Sequence, residues 1–300
     1  IKTNSHYNNI LKKLGFNFVV IKKQKYFEYK VLNFLNKKKI IAYYSDLLES
    51  EIKIEKIIMK NDLPVIIFED EIKKHFCKIY FNPNLNISDN SLLKKKVISN
   101  KNFLGSKYYI LNKIKKIKRK FDYKILISFG GSDNSNQTEK VIKAIKNIYN
   151  SNFKIFVCIG KNFKNKRKLY DKYKKIENLK FFSSEKLFNK LYLFDYIIGS
   201  CGQSLLERIY LKKFSLSAIT SNNQYLLAKN IKKFNFTKII NLSFYPKKIK
   251  ISHWRNEIIN YLNMEKINND GKIFLDTLGT ERISKILKKL VNDKRIQNKQ

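Results

Sequence analysis

Short apolar runs alternate along this chain with stretches whose apolar positions recur every three or four residues, which is the strand-then-helix rhythm of an α/β protein. Tyr7, Ile10, Leu11 and Leu14 fall at helical spacing, Gly15 closes that helix, and Phe16–Ile21 predicts a strand. A helix around Phe27–Leu35 follows, then a strand over Lys39–Tyr44, a helix over Glu51–Lys60 and a strand over Leu63–Phe68. That last strand runs into Glu69, Asp70 and Glu71, at the edge where parallel sheets hold ligands, so these acids are either site residues or a solvated turn. Lys78–Asn86 gives a short strand and an Asn-rich turn, and Asn102–Lys120 a loop running into a basic helix.

The second half restarts the alternation. Tyr123–Phe129 is a strand, Gly130–Asn136 a loop, and Thr138–Tyr149 a helix capped by Asp133 or Ser135. Strands over Phe153–Gly160 and Leu179–Phe182 lead to a helix over Ser184–Leu193, then to a strand, Tyr196–Gly199. Phe214–Thr220 is the next strand, and the helix after it opens with Asn223 and Gln224 at its mouth. Ile251–Leu262 and Gly279–Leu290 read as helices, with the last ten polar residues fraying. Strands separated by helices throughout predict two doubly wound, Rossmann-like α/β domains, 1–118 and 119–300. Such a domain opens on a strand, so the leading strand and its loop are expected ahead of Ile1.

The stretch Tyr196–Arg208 is where chemistry is expected. A buried strand, a small-residue turn (Ser200, Cys201, Gly202) and a helix from near Gln203 present free backbone N–H groups to an anion. A glycine turn between strand and helix also has a purely structural reading. The loops at Gly130 and Gly131, at Gly199–Ser204, and at Asn223 and Gln224 all follow strands, so they share one edge and form a cleft suited to a nucleotide.

Composition narrows the classes. With 300 residues and 43% apolar content the chain buries a sizeable core, and no apolar run approaches the roughly 18 residues that cross a bilayer. The formal charge of +39 suggests nucleic acid, yet only six of the 63 basic residues are Arg, and the Lys are spread from end to end as an A- and T-rich genome would encode them. No specific nucleic-acid partner is therefore expected. Three scattered Cys (Cys77, Cys158, Cys201) and three scattered His (His6, His75, His253) predict no metal site and fit a reducing cytoplasm. No signal peptide is visible.

FGGSD with Thr138, IGSCGQSLLER, SNNQ, the Asp270 and Gly271 pair, GTERI at Gly279–Ile283, and FLGSKYYIL at Phe103–Leu111 together resemble one family over nearly the whole chain. It is the nucleotide-sugar hydrolase family of pseudaminic acid biosynthesis, which releases UDP from UDP-2,4-diacetamido-2,4,6-trideoxy-β-L-altropyranose and is similar in fold to GT-B glycosyltransferases. The resemblance implies that Gly202, Gln203 and Ser204 hold the UDP diphosphate and that Glu207 accepts hydrogen bonds from the ribose. Glu207 can also be read as an acid stabilised by the helix dipole. Gly130, Gly131 and Ser132 would line the cleft against phosphates or sugar, and Asn223 and Gln224 would read the sugar. Water would attack the anomeric carbon with UDP leaving, without cofactor or obligatory metal, in the cytoplasm. The family's catalytic histidine falls ahead of Ile1, and His6 lies inside the first helix, too far along to replace it. A GT-B glycosyltransferase and a nucleotide-sugar-binding chain without turnover are the other readings.

Overall fold

The structure is a computed structural model that describes residues 52–84, 90–111, 120–146, 153–184, 190–232, 234–241, 245–264 and 275–297, together with 29, 33, 40, 42–46, 148 and 187. Two compact units emerge, one from residues up to Phe81 with Asp89–Phe103 and Lys285–Gln300, the other from Asn82–Ser88 and Leu104–Ser284. The helix expected over Tyr7–Leu14 and the strand expected over Phe16–Ile21 lie outside the described residues.

The first unit carries β1 (Tyr43–Ser45), α1 (Ile52–Lys60), β2 (Val65–Phe68), β3 (His75–Asn82), α2 (Asn90–Lys96) and β4 (Val97–Leu104). Its sheet has the order β1-β2-β3-β4, with β1, β2 and β3 parallel. All four residues of β2 are buried, as an interior parallel strand covered on both faces requires. α2 and β4 were not expected from the sequence, because β4 interleaves Ser, Asn and Lys with few apolar residues.

The second unit carries β5 (Lys124–Ser128), α3 (Gln137–Lys146), β6 (Lys154–Ile159), α4 (Lys166–Tyr173), β7 (Leu179–Ser183), β8 (Tyr196–Ser200), α5 (Gln203–Tyr210), β9 (Ser215–Ala218), α6 (Tyr225–Lys232), β10 (Thr237–Ile239), α7 (Ile251–Leu262) and the start of α8 (Gly279–Gln297). Six parallel strands run in the order β10-β9-β8-β5-β6-β7. α7 seals one face. Its Trp254 is fully buried, packs edge-on to Phe129 at 5.6 Å and donates to Gln137 Oε1 at 2.9 Å. Its Tyr261 hydroxyl accepts from Ile197 N at 3.0 Å and donates to the Phe214 carbonyl at 2.9 Å, joining the starts of β8 and β9.

Two expectations are corrected here, and one choice between alternatives is decided. The helix expected over Ser184–Leu193 is, among the described residues, a run of turns ending in one 3-10 turn, Leu191–Leu193. Its Leu187 and Leu191 join Phe194 in the core cluster with Leu126 and Cys158, and the backbone closes i to i+3 bonds instead of i to i+4. α3 is capped by Asp133, whose carboxylate accepts from Gln137 N at 2.9 Å and Thr138 N at 2.6 Å; Ser135 caps nothing. α8 continues to Gln297, beyond its expected end.

In the first unit, Glu69 directly follows β2, and its carboxylate closes its own turn by accepting from Asp70 N at 3.1 Å and Glu71 N at 3.2 Å. The buried ring of His75 bridges Glu55 Oε1 at 2.8 Å and Glu69 Oε2 at 3.3 Å. Burial pulls that imidazole down, but the two carboxylates outweigh it and raise it to about 9, so it is an imidazolium at neutral pH. Its stabilisation is complete below the ordinary value of 6.5 and is lost as pH rises through about 9. Replacing His75 by Gln removes one member of a buried charge group and is expected to cost about 3 kcal/mol in urea unfolding at pH 6, with most of that difference gone at pH 10. An equal cost at both pH values would show that packing, not charge, holds the cluster.

Candidate functional site

The strand order reverses between β5 and β8. The chain leaves β5 towards β6 and β7 but leaves β8 towards β9 and β10, so the loops after these two central strands diverge and open a crevice at the carboxyl edge. Both glycine loops of the sequence lie at this switch point.

After β5 the backbone turns at Gly130, whose φ of +82° suits glycine. Gly160, just past β6, holds this loop from below. A Cβ there would lie 2.3 Å from the Gly131 carbonyl oxygen and 2.5 Å from that of Gly130, and Asn162 N donates to the Gly131 carbonyl at 3.0 Å. Gly131 itself faces open space, and Ser132 is half-buried beside it.

After β8, Gly202 precedes the first residue of α5, and no side chain caps that helix. Cys201 N is spent on the Ala218 carbonyl at 3.0 Å, whereas the N–H groups of Gly202, Gln203 and Ser204 meet no acceptor among the described residues. The Ser200 and Ser204 carbonyls, at either end of this segment, are taken by one side chain. Arg208, 1% exposed, folds back along α5 so that its Nε donates to the Ser204 carbonyl at 3.1 Å and its guanidinium also donates to the Ser200 carbonyl. One buried side chain thus ties the end of β8 to the first turn of α5. Burial lowers the guanidinium to about 10, still fully charged at neutral pH.

Gly130, Ser200, Gly202 and Gln224 are brought together. A Cβ on Gly130 would lie 3.8 Å from Ser200 Oγ, and one on Gly202 3.5 Å from Gln224 Nε2. Gln224 spends its amide oxygen on Thr220 N at 2.8 Å, so its nitrogen is the end that faces the glycine turn. Asn223 is half-buried and accepts from Ser221 Oγ within its own loop. The exposed Gln203 amide donates to the Ile110 carbonyl at 2.7 Å, so what Gln203 offers at the helix start is its backbone N–H. Glu207 is half-buried on α5 and its carboxylate accepts no hydrogen bond among the described residues. Burial raises it to about 7, opposed by the charge of Arg208. Cys201 is fully buried with its thiol pushed up to about 12, which makes it packing and not a nucleophile.

Two features escaped the sequence. Arg208 was only one basic residue among many; its position one turn after a small-residue loop is the signal that could have found it. The other is a cavity of about 440 Å³ on the far side of the Gly160 turn, walled by Tyr170, Phe181 and Phe182 with Lys161, Lys166 and Arg167 at its rim. α4, which supplies a third of its lining, has only Leu169 and Tyr173 buried and so shows little helical periodicity.

No protein-family model and no curated protein matches the chain. Solved structures do. MnaA of S. aureus in complex with UDP matches at 11% identity over 97% of this chain and 87% of that chain, with TM-score 0.62. MurG of Acinetobacter baumannii matches at 12% identity over 85% and 79%, with TM-score 0.56. The spinosyn rhamnosyltransferase SpnG complexed with thymidine diphosphate matches at 11% identity over 89% and 73%, with TM-score 0.53. At such identities the likeness is one of fold, and the fold is of the GT-B class, with two parallel-sheet α/β units. Among the described residues no helix is long and apolar enough to cross a membrane, and no group of His, Cys, Asp and Glu is arranged to hold a metal ion.

Adding one methyl group at Gly160 drives it into two backbone oxygens, so Gly160→Ala is expected to destabilise by about 1–3 kcal/mol and to loosen the Gly130 loop, read as a lowered melting temperature together with weaker UDP binding. Glu207 sets a pH dependence of two opposite signs. The folded state keeps its proton up to about 7 and the unfolded state releases it near 4.5, so this group weakens stability as pH rises through that window. The ionised carboxylate is the stronger acceptor, so through the ribose role that the resemblance implies for Glu207, UDP binding measured by calorimetry is expected to strengthen as pH rises through about 7, and Glu207→Gln to flatten that rise.

Proposed function

We propose that the chain binds a UDP-linked sugar at the carboxyl edge of its six-stranded sheet and hydrolyses it, releasing UDP and the free sugar. The observation that carries the binding half is the convergence of the Gly130 loop, the Gly202 turn and Gln224 at the switch point, with three unused N–H groups at the start of α5. Gly202, Gln203 and Ser204 receive the diphosphate through their N–H groups, Gly130, Gly131 and Ser132 line the opposite wall, and Glu207 takes the ribose hydroxyls. Asn223 and the Gln224 amide nitrogen read the sugar. The aromatic cavity beyond Gly160 has room for the base.

The chemistry rests on the resemblance of GGSD, SCGQSLLER, SNNQ and GTERI to the diacetamido-trideoxy sugar hydrolases. Water adds to the anomeric carbon, the glycosidic carbon–oxygen bond breaks, and the electron pair leaves on the β-phosphate. Fixed N–H donors at a helix start stabilise that growing charge without reorganising. The resemblance implies a histidine as the general base that takes the proton of the attacking water. No metal or cofactor is called for. A second reading, sugar transfer to an acceptor other than water, is favoured by the likeness of fold to a rhamnosyltransferase bound to thymidine diphosphate.

The test is release of UDP from UDP-2,4-diacetamido-2,4,6-trideoxy-β-L-altropyranose, followed by nuclear magnetic resonance, for this chain and for one extended upstream. Turnover in the extended chain with free sugar as product is the expected result. UDP bound but no hydrolysis by either chain would move the assignment to the transferase, and no UDP bound by either would remove the nucleotide reading altogether.

A further inference from the structure

We infer that Arg208 is a positioning residue of the nucleotide site, and that the diphosphate is the counter-ion its buried guanidinium lacks. The inference rests on the nucleotide-sugar reading above and deepens it. Arg208 is 1% exposed, yet among the described residues no carboxylate lies within ion-pair distance of it. Its hydrogen bonds go to the neutral carbonyls of Ser200 and Ser204. The ionisable groups acting on it are Cys201 from the turn, Glu207 from its own helix and Tyr261 from α7. Cys201 and Tyr261 are neutral at pH 7, being held at about 12 and far above the ordinary phenol value. Glu207 is the adjacent residue on the helix, and successive helical residues point in different directions.

A guanidinium buried without an anion is costly, and carbonyl dipoles offset only part of that cost. By donating to the Ser200 and Ser204 carbonyls Arg208 fixes both ends of the segment whose Gly202, Gln203 and Ser204 N–H groups lie at the positive end of α5. Positive charge therefore reaches one turn from two sources, the guanidinium and the helix start. A doubly charged group seated on the N–H face relieves both at once. Gly199 makes the arrangement possible, since a Cβ there would meet the Arg208 Nη1 at 3.0 Å and the Ser128 carbonyl oxygen at 2.4 Å.

The test measures Kd for UDP and for inorganic pyrophosphate across pH in the full chain, in Arg208→Lys, which keeps the charge, and in Arg208→Gln, which loses it. Arg208→Gln is expected to lose at least about tenfold for both ligands and Arg208→Lys less than about fivefold. The pH midpoint of UDP binding, set by Glu207, should move upward in Arg208→Gln alone, because the charge opposing its protonation is gone. Wild-type affinity in folded Arg208→Gln, or equal losses in both variants, would overturn the inference. Should Arg208→Gln not fold, Arg208→Lys decides on the same fivefold limit. Should neither fold, stabilisation of the wild-type chain by pyrophosphate beyond that given by sodium chloride of equal ionic strength supports the inference, and its absence overturns it. Pyrophosphate bound without UDP would sink the nucleotide-sugar reading and leave Arg208 its role, whereas UDP binding indifferent to position 208 would do the reverse.

Discussion

The carboxyl edge of the second sheet depends on one strand, β8, being held at both ends by side chains from other elements. At its start the Tyr261 hydroxyl of α7 takes the Ile197 N–H and passes its own proton to the Phe214 carbonyl, so β8 and β9 begin in fixed register. At its end Arg208 of α5 takes the Ser200 carbonyl. Five residues held this way fix where the following turn begins, the turn that carries the three N–H groups at the start of α5. A site that must stabilise developing charge gains most from donors already in place. Rigidity of β8 is therefore part of the proposed chemistry and not only of the fold.

The two units bury cations in opposite ways. His75 in the first lies between Glu55 and Glu69, with Lys73 beyond at 3.2 Å from Glu69 Oε1, so its charge is answered from within the protein. The His75 group closes on itself through these ion pairs and reads as architecture. Arg208 has the burial of His75 but carbonyls in place of carboxylates. Burial alone does not distinguish structural from functional charge; the presence or absence of an internal counter-ion does.

Much of the fold could be read from the chain because parallel strands buried on both faces announce themselves as unbroken apolar runs, as in Val65–Phe68 and in the three central residues of β5. Turn residues marked the edges, so the Tyr196–Arg208 unit was readable to within a residue. Elements on the periphery were not. α4 offers two buried residues in eight, and β10 is three residues of which Thr237 bonds through its hydroxyl to Ser215 and Ser217, a polar contact with no hydrophobic signature. The false helix at Ser184–Leu193 has the spacing of one, and only tertiary packing of Leu187, Leu191 and Phe194 against β5 and β6 decides for turns. Side-chain direction is not legible in a sequence either: Gln203 opens α5 and spends its amide on the Ile110 carbonyl.

The same logic sets the weight of the +39 charge. Lysines on the surface raise the local concentration of any anion, but water and salt reduce their pull within about 8–10 Å, and they make no distinction between a nucleotide and a chloride ion. Arg208 sits where the solvent does not reach, behind a turn whose donors have a fixed spacing. Its field is screened little, and it acts on whatever the N–H groups can seat. One buried arginine thus contributes selectivity that the many exposed lysines cannot, and a chain with this charge can still be a small-molecule enzyme and not a nucleic-acid binder.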